Sequence, residues 1–109
     1  MLAGCGAGTD ADPEVARGAA LVRDLGCAAC HASSSASGLG PGWGVLEWGE
    51  PRPLADGTTV EVDEDYLRRS ITEPGVEVAA GWDPIMPMIP VSDAELDAIT
   101  AYLRDVSGG

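Results

Sequence analysis

Cys27-Ala28-Ala29-Cys30-His31 gathers two thiols and the chain's one imidazole into five residues. This is a C-x-x-C-H sequence, the attachment signature of a c-type haem. Each thiol can form a thioether to one vinyl group of the porphyrin. The adjacent imidazole then lies under the iron as its proximal ligand. Covalent tethering keeps the haem in place even where the protein is small and its core thin. Two other chemistries use similar residues. A dithiol redox pair needs a βαβ frame around its C-x-x-C. A zinc site needs four ligands at workable spacing. Here the thiol and imidazole donors are Cys5, Cys27, Cys30 and His31, and the last two are neighbours.

A second axial ligand has few sources. There is no second histidine and no lysine. Met1, Met86, Met88, the two tyrosines, Cys5 or an open position remain. Met86 and Met88 stand in Gly81-Trp-Asp-Pro-Ile-Met-Pro-Met-Ile-Pro90, far enough downstream for the chain to pass round a haem and return. Pro87 biases Met86 towards extended backbone. Pro84 and Pro90 stiffen its neighbours. A weak iron–thioether bond needs such a rigid loop, so Met86 is the favoured ligand, with Met88 or no methionine as alternatives. His/Met ligation raises the reduction potential relative to bis-His.

Three helices are expected to position these groups. The first starts after Asp12 as N-cap, with Pro13 at its first position. Val15, Ala19 and Val22 mark its apolar stripe, widened by Leu21 and Leu25, and Gly26 is its stop. The second runs from about Asp63, its N-cap, to Thr72, with Tyr66, Leu67, Ser70 and Ile71 inward. The third carries a capping box, Ser92-x-x-Glu95, and Leu96, Ile99, Leu103 and Val106 fall on one face. Between them, residues 32–58 show neither helical nor strand period, apart from a turn at Asp56-Gly57. So long a stretch makes sense if it wraps something. Residues 74–91 form a second, proline-rich loop. Residues 1–12 read as a mobile tail, and 13–107 as one domain.

Composition narrows the function. The 109 residues hold 18 acidic and 6 basic side chains, a net charge of −12. Such a surface repels phosphate backbones, so nucleic-acid binding is not expected. It also repels anionic lipid. No apolar run approaches the roughly 18 residues of a transmembrane helix. Phenylalanine is absent. A bound cofactor could supply the missing apolar bulk.

Over about residues 14–106 the sequence resembles class I cytochromes c. More closely, it looks like the haem domain fused to some bacterial cytochrome c oxidase subunits II. The resemblance rests on Gly18 with Val22, Cys27 to His31, Gly40-Pro41-x-Trp43, Leu54-Ala-Asp-Gly57, Asp65-Tyr-Leu-Arg-Arg-Ser-Ile71, Pro74-Gly75, Gly81-Trp82-x-Pro84-x-Met86-Pro87 and Ala101-Tyr102-Leu103. It implies a small all-α fold, three main helices with long loops wrapped round one haem c held through Cys27 and Cys30. It implies that His31 and Met86 bind the iron. It implies that the Pro41 carbonyl accepts from the imidazole, and that Gly18 lets the first and last helices cross near Tyr102. Trp82 is expected to wall the haem. Arg52, Trp43 and Trp48 are candidates for touching its propionates. Val22 stands where an aromatic is common, and residues 44–50 carry one extra residue relative to the family pattern. The chain lacks the transmembrane helices and copper-binding domain of a subunit II, and so looks like a free-standing relative.

The expected role is a monohaem electron carrier, not an enzyme, serving a respiratory chain and passing electrons to partners with a basic docking face. The alternative is a haem sensor or redox enzyme subunit with a labile distal ligand. A non-haem dithiol oxidoreductase is a third reading. A monomer is expected. Leu2-Ala3-Gly4-Cys5 matches a bacterial lipobox, so the expected location is periplasmic or extracytoplasmic, with contact to a membrane only through lipid on Cys5. The charged and apolar regions that usually precede a lipobox are not in these residues, so the sequence is expected to begin just upstream of it.

Overall fold

The computed structural model describes residues 12–31 and 38–108. The expected tail and lipobox, Cys5 included, fall in residues 1–11, outside the described residues. Three α-helices carry the frame: α1 (Pro13–Asp24), α2 (Glu64–Thr72) and α3 (Asp93–Val106).

Each helix begins where a short polar side chain can cap it. The Asp12 carboxylate accepts from the backbone N–H groups of Glu14 (2.9 Å) and Val15 (3.4 Å), and Pro13 adds no orphan donor of its own. Asp63 caps α2 by accepting from Tyr66 N–H at 2.8 Å. At α3 the box is reciprocal: Ser92 Oγ accepts from Glu95 N–H (3.1 Å), and Glu95 Oε1 accepts from Ser92 N–H (2.8 Å). The stops are glycines in left-handed backbone, Gly26 after α1 (φ 86°) and Gly108 after α3 (φ 76°).

α1 packs across α3, and the crossing point is Gly18. A Cβ built there would collide with the Ala98 carbonyl and lie 2.7 Å from Tyr102 Cβ. The missing side chain is what lets the two backbones meet. Val22, Ile99 and Leu103 continue the seam, and Tyr66 and Leu67 of α2, Val62 and Trp43 close one cluster around it. Ser70 and Ile71 are half-buried, and Arg68 of α2 reaches Asp97 of α3 at 2.8 Å across the surface.

The segment expected to lack regular structure contains a strand. Pro51–Pro53 (β1) pairs antiparallel with Thr59–Glu61 (β2), with Arg52 opposite Val60. The expectation that residues 32–58 carry no strand is corrected here. Two prolines in three residues argue against a strand by propensity. β1 escapes that rule because its pairing is short and each proline still offers a carbonyl. The turn is closed as expected: Asp56 accepts from Thr58 N–H (2.9 Å) and Thr58 Oγ (2.6 Å), and Gly57 takes φ 91°. These bonds, the hydroxyl's first, hold the Asp56 carboxyl below the usual carboxylate range. Beyond β1, Leu54 bridges Ala79, Ala55 N–H donates to the Val78 carbonyl, and Ala80 N–H donates to the Pro53 carbonyl. The hairpin thus holds the first part of the 74–91 loop.

Gly18→Ala tests the crossing. Alanine favours an isolated helix by about 1 kcal/mol over glycine. Here the methyl meets a backbone carbonyl that cannot retreat without opening the seam. Denaturant unfolding is expected to show a net loss of about 1–3 kcal/mol.

Candidate functional site

The end of α1 builds the first wall. Gly26 reverses the chain, and Cys27–Ala29 form a single 3-10 turn. Cys30 and His31 N–H groups both donate to the Cys27 carbonyl, at 3.2 and 3.0 Å. The C-x-x-C-H sequence is therefore a compact turn that displays both half-buried cysteines beside the imidazole. Burial pushes the Cys27 thiol pKa up; a backbone hydrogen bond opposes this and the neighbouring Cys30 adds slightly to it.

The next segment folds back on this turn. Gly40 N–H donates to the Cys30 carbonyl at 3.0 Å, which brings Pro41 against His31. The His31 Nδ1 lies 2.8 Å from the Pro41 carbonyl oxygen. A carbonyl can only accept, so Nδ1 carries the proton and Nε2 presents its lone pair. Gly40 is as necessary as Pro41. A Cβ on Gly40 would stand 2.5 Å from Cε1 and 2.9 Å from both ring nitrogens.

An apolar cleft opens from this wall. Its space, open mouth included, is about 960 Å³. Cys27, Cys30, His31 and Pro41 line it on the α1 side, Tyr66 and Ser70 come from α2, and Arg52 from β1. Trp82, Pro84, Met86 and Pro87 come from the second loop. Of the two loop methionines, Met86 lines the cleft, whereas Met88 does not and is 69% exposed.

Two tryptophans stand elsewhere. Trp43 lies in the core behind the imidazole and is not part of the cleft wall. Its ring stacks on His31 with 5.4 Å between centroids and 13° between planes. Trp48 donates from Nε1 to Ser107 Oγ at 2.6 Å and lies under the Arg104 guanidinium, which ties it to the end of α3. Of the three residues named as propionate candidates, Arg52 is the one on the wall.

Several site residues were not singled out by sequence. In the sequence Gly40 stands in a motif that carries no steric signal, since its role depends on a ring that only folding brings against it. Tyr66 and Ser70 are expected from the sequence to face inward. Their i, i+4 spacing put them on one face, but not on the cleft. Glu77 also lines the cleft and is held by Arg69 through two contacts, 2.8 and 3.4 Å.

The cytochrome c family profile matches residues 15–107. The chain belongs to the cytochrome c family. No match is found among curated proteins. Members of the family bind haem c covalently through a cysteine pair, and Cys27 and Cys30 have that spacing. They are typically electron carriers that exchange electrons with partner proteins, and class I members are generally extracytoplasmic. Among the described residues no helix is long and apolar enough to cross a membrane. The residues fit the group. Two thiols, an imidazole with a free Nε2 and a thioether share one apolar cleft.

Gly40→Ala is expected to drive the imidazole off its carbonyl partner, an overpacking cost of about 1–3 kcal/mol. Haem absorbance per polypeptide after co-expression with maturation machinery should fall at least about fivefold. Unchanged incorporation and spectrum would show that the ring does not occupy this slot.

Proposed function

We propose that this protein is a monohaem, class I electron carrier in which His31 and Met86 are the two axial ligands of one haem c. The observation that carries the reading is the convergence of Cys27, Cys30, His31 and Met86 on one apolar cleft, although 55 residues separate the last two. When bound, the haem supplies one-electron exchange without substrate chemistry. The chain's part is to hold still. Pro41 accepts from His31 and Gly40 leaves room for its ring, and the proline-flanked loop holds Met86, so the ligands need not move between oxidation states. Two protein ligands also leave no position for a small molecule. Arg52 is the basic group on the wall suited to a propionate. Trp82 and the loops from both sides enclose the haem in an otherwise helical fold.

The proposed setting is a bacterial respiratory chain, with the domain related to the haem domain of oxidase subunit II. Residues 1–12 would serve as a tail, with lipid on Cys5 holding a monomeric carrier at the outer face of the cytoplasmic membrane. The net charge of −12 supports a partner with a basic docking face.

Met86→Ala should open the iron to carbon monoxide in the reduced protein and abolish the spectral signature of sulfur ligation, whereas Met88→Ala should leave both unchanged. The reverse result would reassign the ligand. Rapid carbon monoxide binding by the unmodified protein would favour a sensor or enzyme with a labile distal position. Electron transfer to the physiological partner should slow at least about tenfold between low and high ionic strength; a salt-independent rate would remove the steering.

A further inference from the structure

A single hydrogen bond does not orient an imidazole. The bond from His31 Nδ1 to the Pro41 carbonyl fixes one direction at 2.8 Å and leaves the ring free to rock about that line. Trp43 removes this freedom. Its ring lies within 13° of parallel to the imidazole, at 5.4 Å between centroids, so rocking would run one ring into the other. Trp43 cannot follow such a motion. It is 8% exposed and packed in the same cluster as Val22, Ile99 and Leu103. Tyr102 meets it edge-on, at 88° and 5.8 Å. Tyr102 in turn sits at the point where α1 and α3 touch, its Cβ against the space that a Gly18 side chain would fill.

We infer that the α1–α3 crossing sets the plane of the His31 imidazole through Tyr102 and Trp43, making Trp43 a positioning residue for the axial ligand. This rests on His31 being that ligand. The chemical consequence has a sign. A well-aligned Nδ1–H···O bond raises the basicity of Nε2, and a stronger donor stabilises the oxidised metal. Loosening the ring weakens that alignment and favours the reduced state.

The test compares Trp43→Leu, Trp43→Phe and Tyr102→Leu as mature haem proteins. The readouts are reduction potential, the hyperfine-shifted His31 ring resonances of the oxidised protein, and unfolding stability. Trp43→Leu should shift the reduction equilibrium at least about threefold towards the reduced form, about 28 mV upward at 59 mV per tenfold for one electron. It should also move the His31 resonances. Trp43→Phe, which keeps a stacking ring, should recover most of both changes. Tyr102→Leu should produce a smaller shift of the same sign. A variant set that loses stability with potential and resonances unmoved would make Trp43 core filling only and overturn the inference. Should Trp43→Leu not mature, unchanged readouts in Tyr102→Leu would overturn it equally. Absence of shifted imidazole resonances in the unmodified protein would instead defeat the ligation reading itself, a result distinct from shifted resonances that ignore Trp43.

Discussion

The proton on His31 Nδ1 is committed to the Pro41 carbonyl, and most of the architecture serves that commitment. It settles which nitrogen faces the cleft. It requires the chain after Cys30 to turn back on itself, which the Gly40–Cys30 backbone bond accomplishes. It requires Gly40 to have no side chain, because any Cβ would occupy the ring's place. The 3-10 turn at Cys27–Ala29 then presents both thiols beside the same ring. On the proposed reading, attachment and ligation would share one wall at the end of α1.

The opposite requirement falls on the second loop. Among the described residues, 86–91 make no backbone–backbone hydrogen bonds. Order there comes from the chain itself, through Pro84, Pro87 and Pro90, which remove conformations before folding begins. The loop is fastened on either side. Upstream, the Leu54–Ala79 bridge joins it to the hairpin, and Glu77 joins it to Arg69 of α2. Downstream, half-buried Val91 packs on the core just before the Ser92 capping box starts α3. The small sheet therefore belongs to the site, since it fastens the segment that carries Met86. The Arg69–Glu77 pair is partly exposed and worth little on its own; its use is to choose a position.

A thin core explains why these tethers matter. With no phenylalanine, the cluster relies on Trp43, Tyr66 and aliphatic side chains. Leu39, Ile85 and Met86 line the cleft yet remain substantially exposed, so the apolar surface there is satisfied only when something fills it. In a covalent haem protein that filling is permanent. The cofactor is then part of the fold as well as of the function, and the acidic exterior is free to serve solubility and association.

Much of this was legible in the residues alone. Local chemistry determined the caps at Asp12, Asp63 and Ser92, the stop at Gly26, the turn at Asp56-Gly57, and the thiol–imidazole cluster, because each depends on neighbours a few positions away. Resemblance to a family added the close approach at Gly18 and the Pro41 acceptor. Only the tertiary structure decided the rest. The β1–β2 pairing was hidden by its prolines, since a hydrogen-bonding partner rather than propensity makes that strand. Pro87 and the family motif already favour Met86; that Met86 and not Met88 lines the cleft depends on how the loop is fastened at both ends. Trp43 and Trp48 could not be told apart as loop tryptophans in sequence; one backs the imidazole and the other is tied to Ser107, because the separation of contacting residues along the chain carries no local signal of where folding will bring them together.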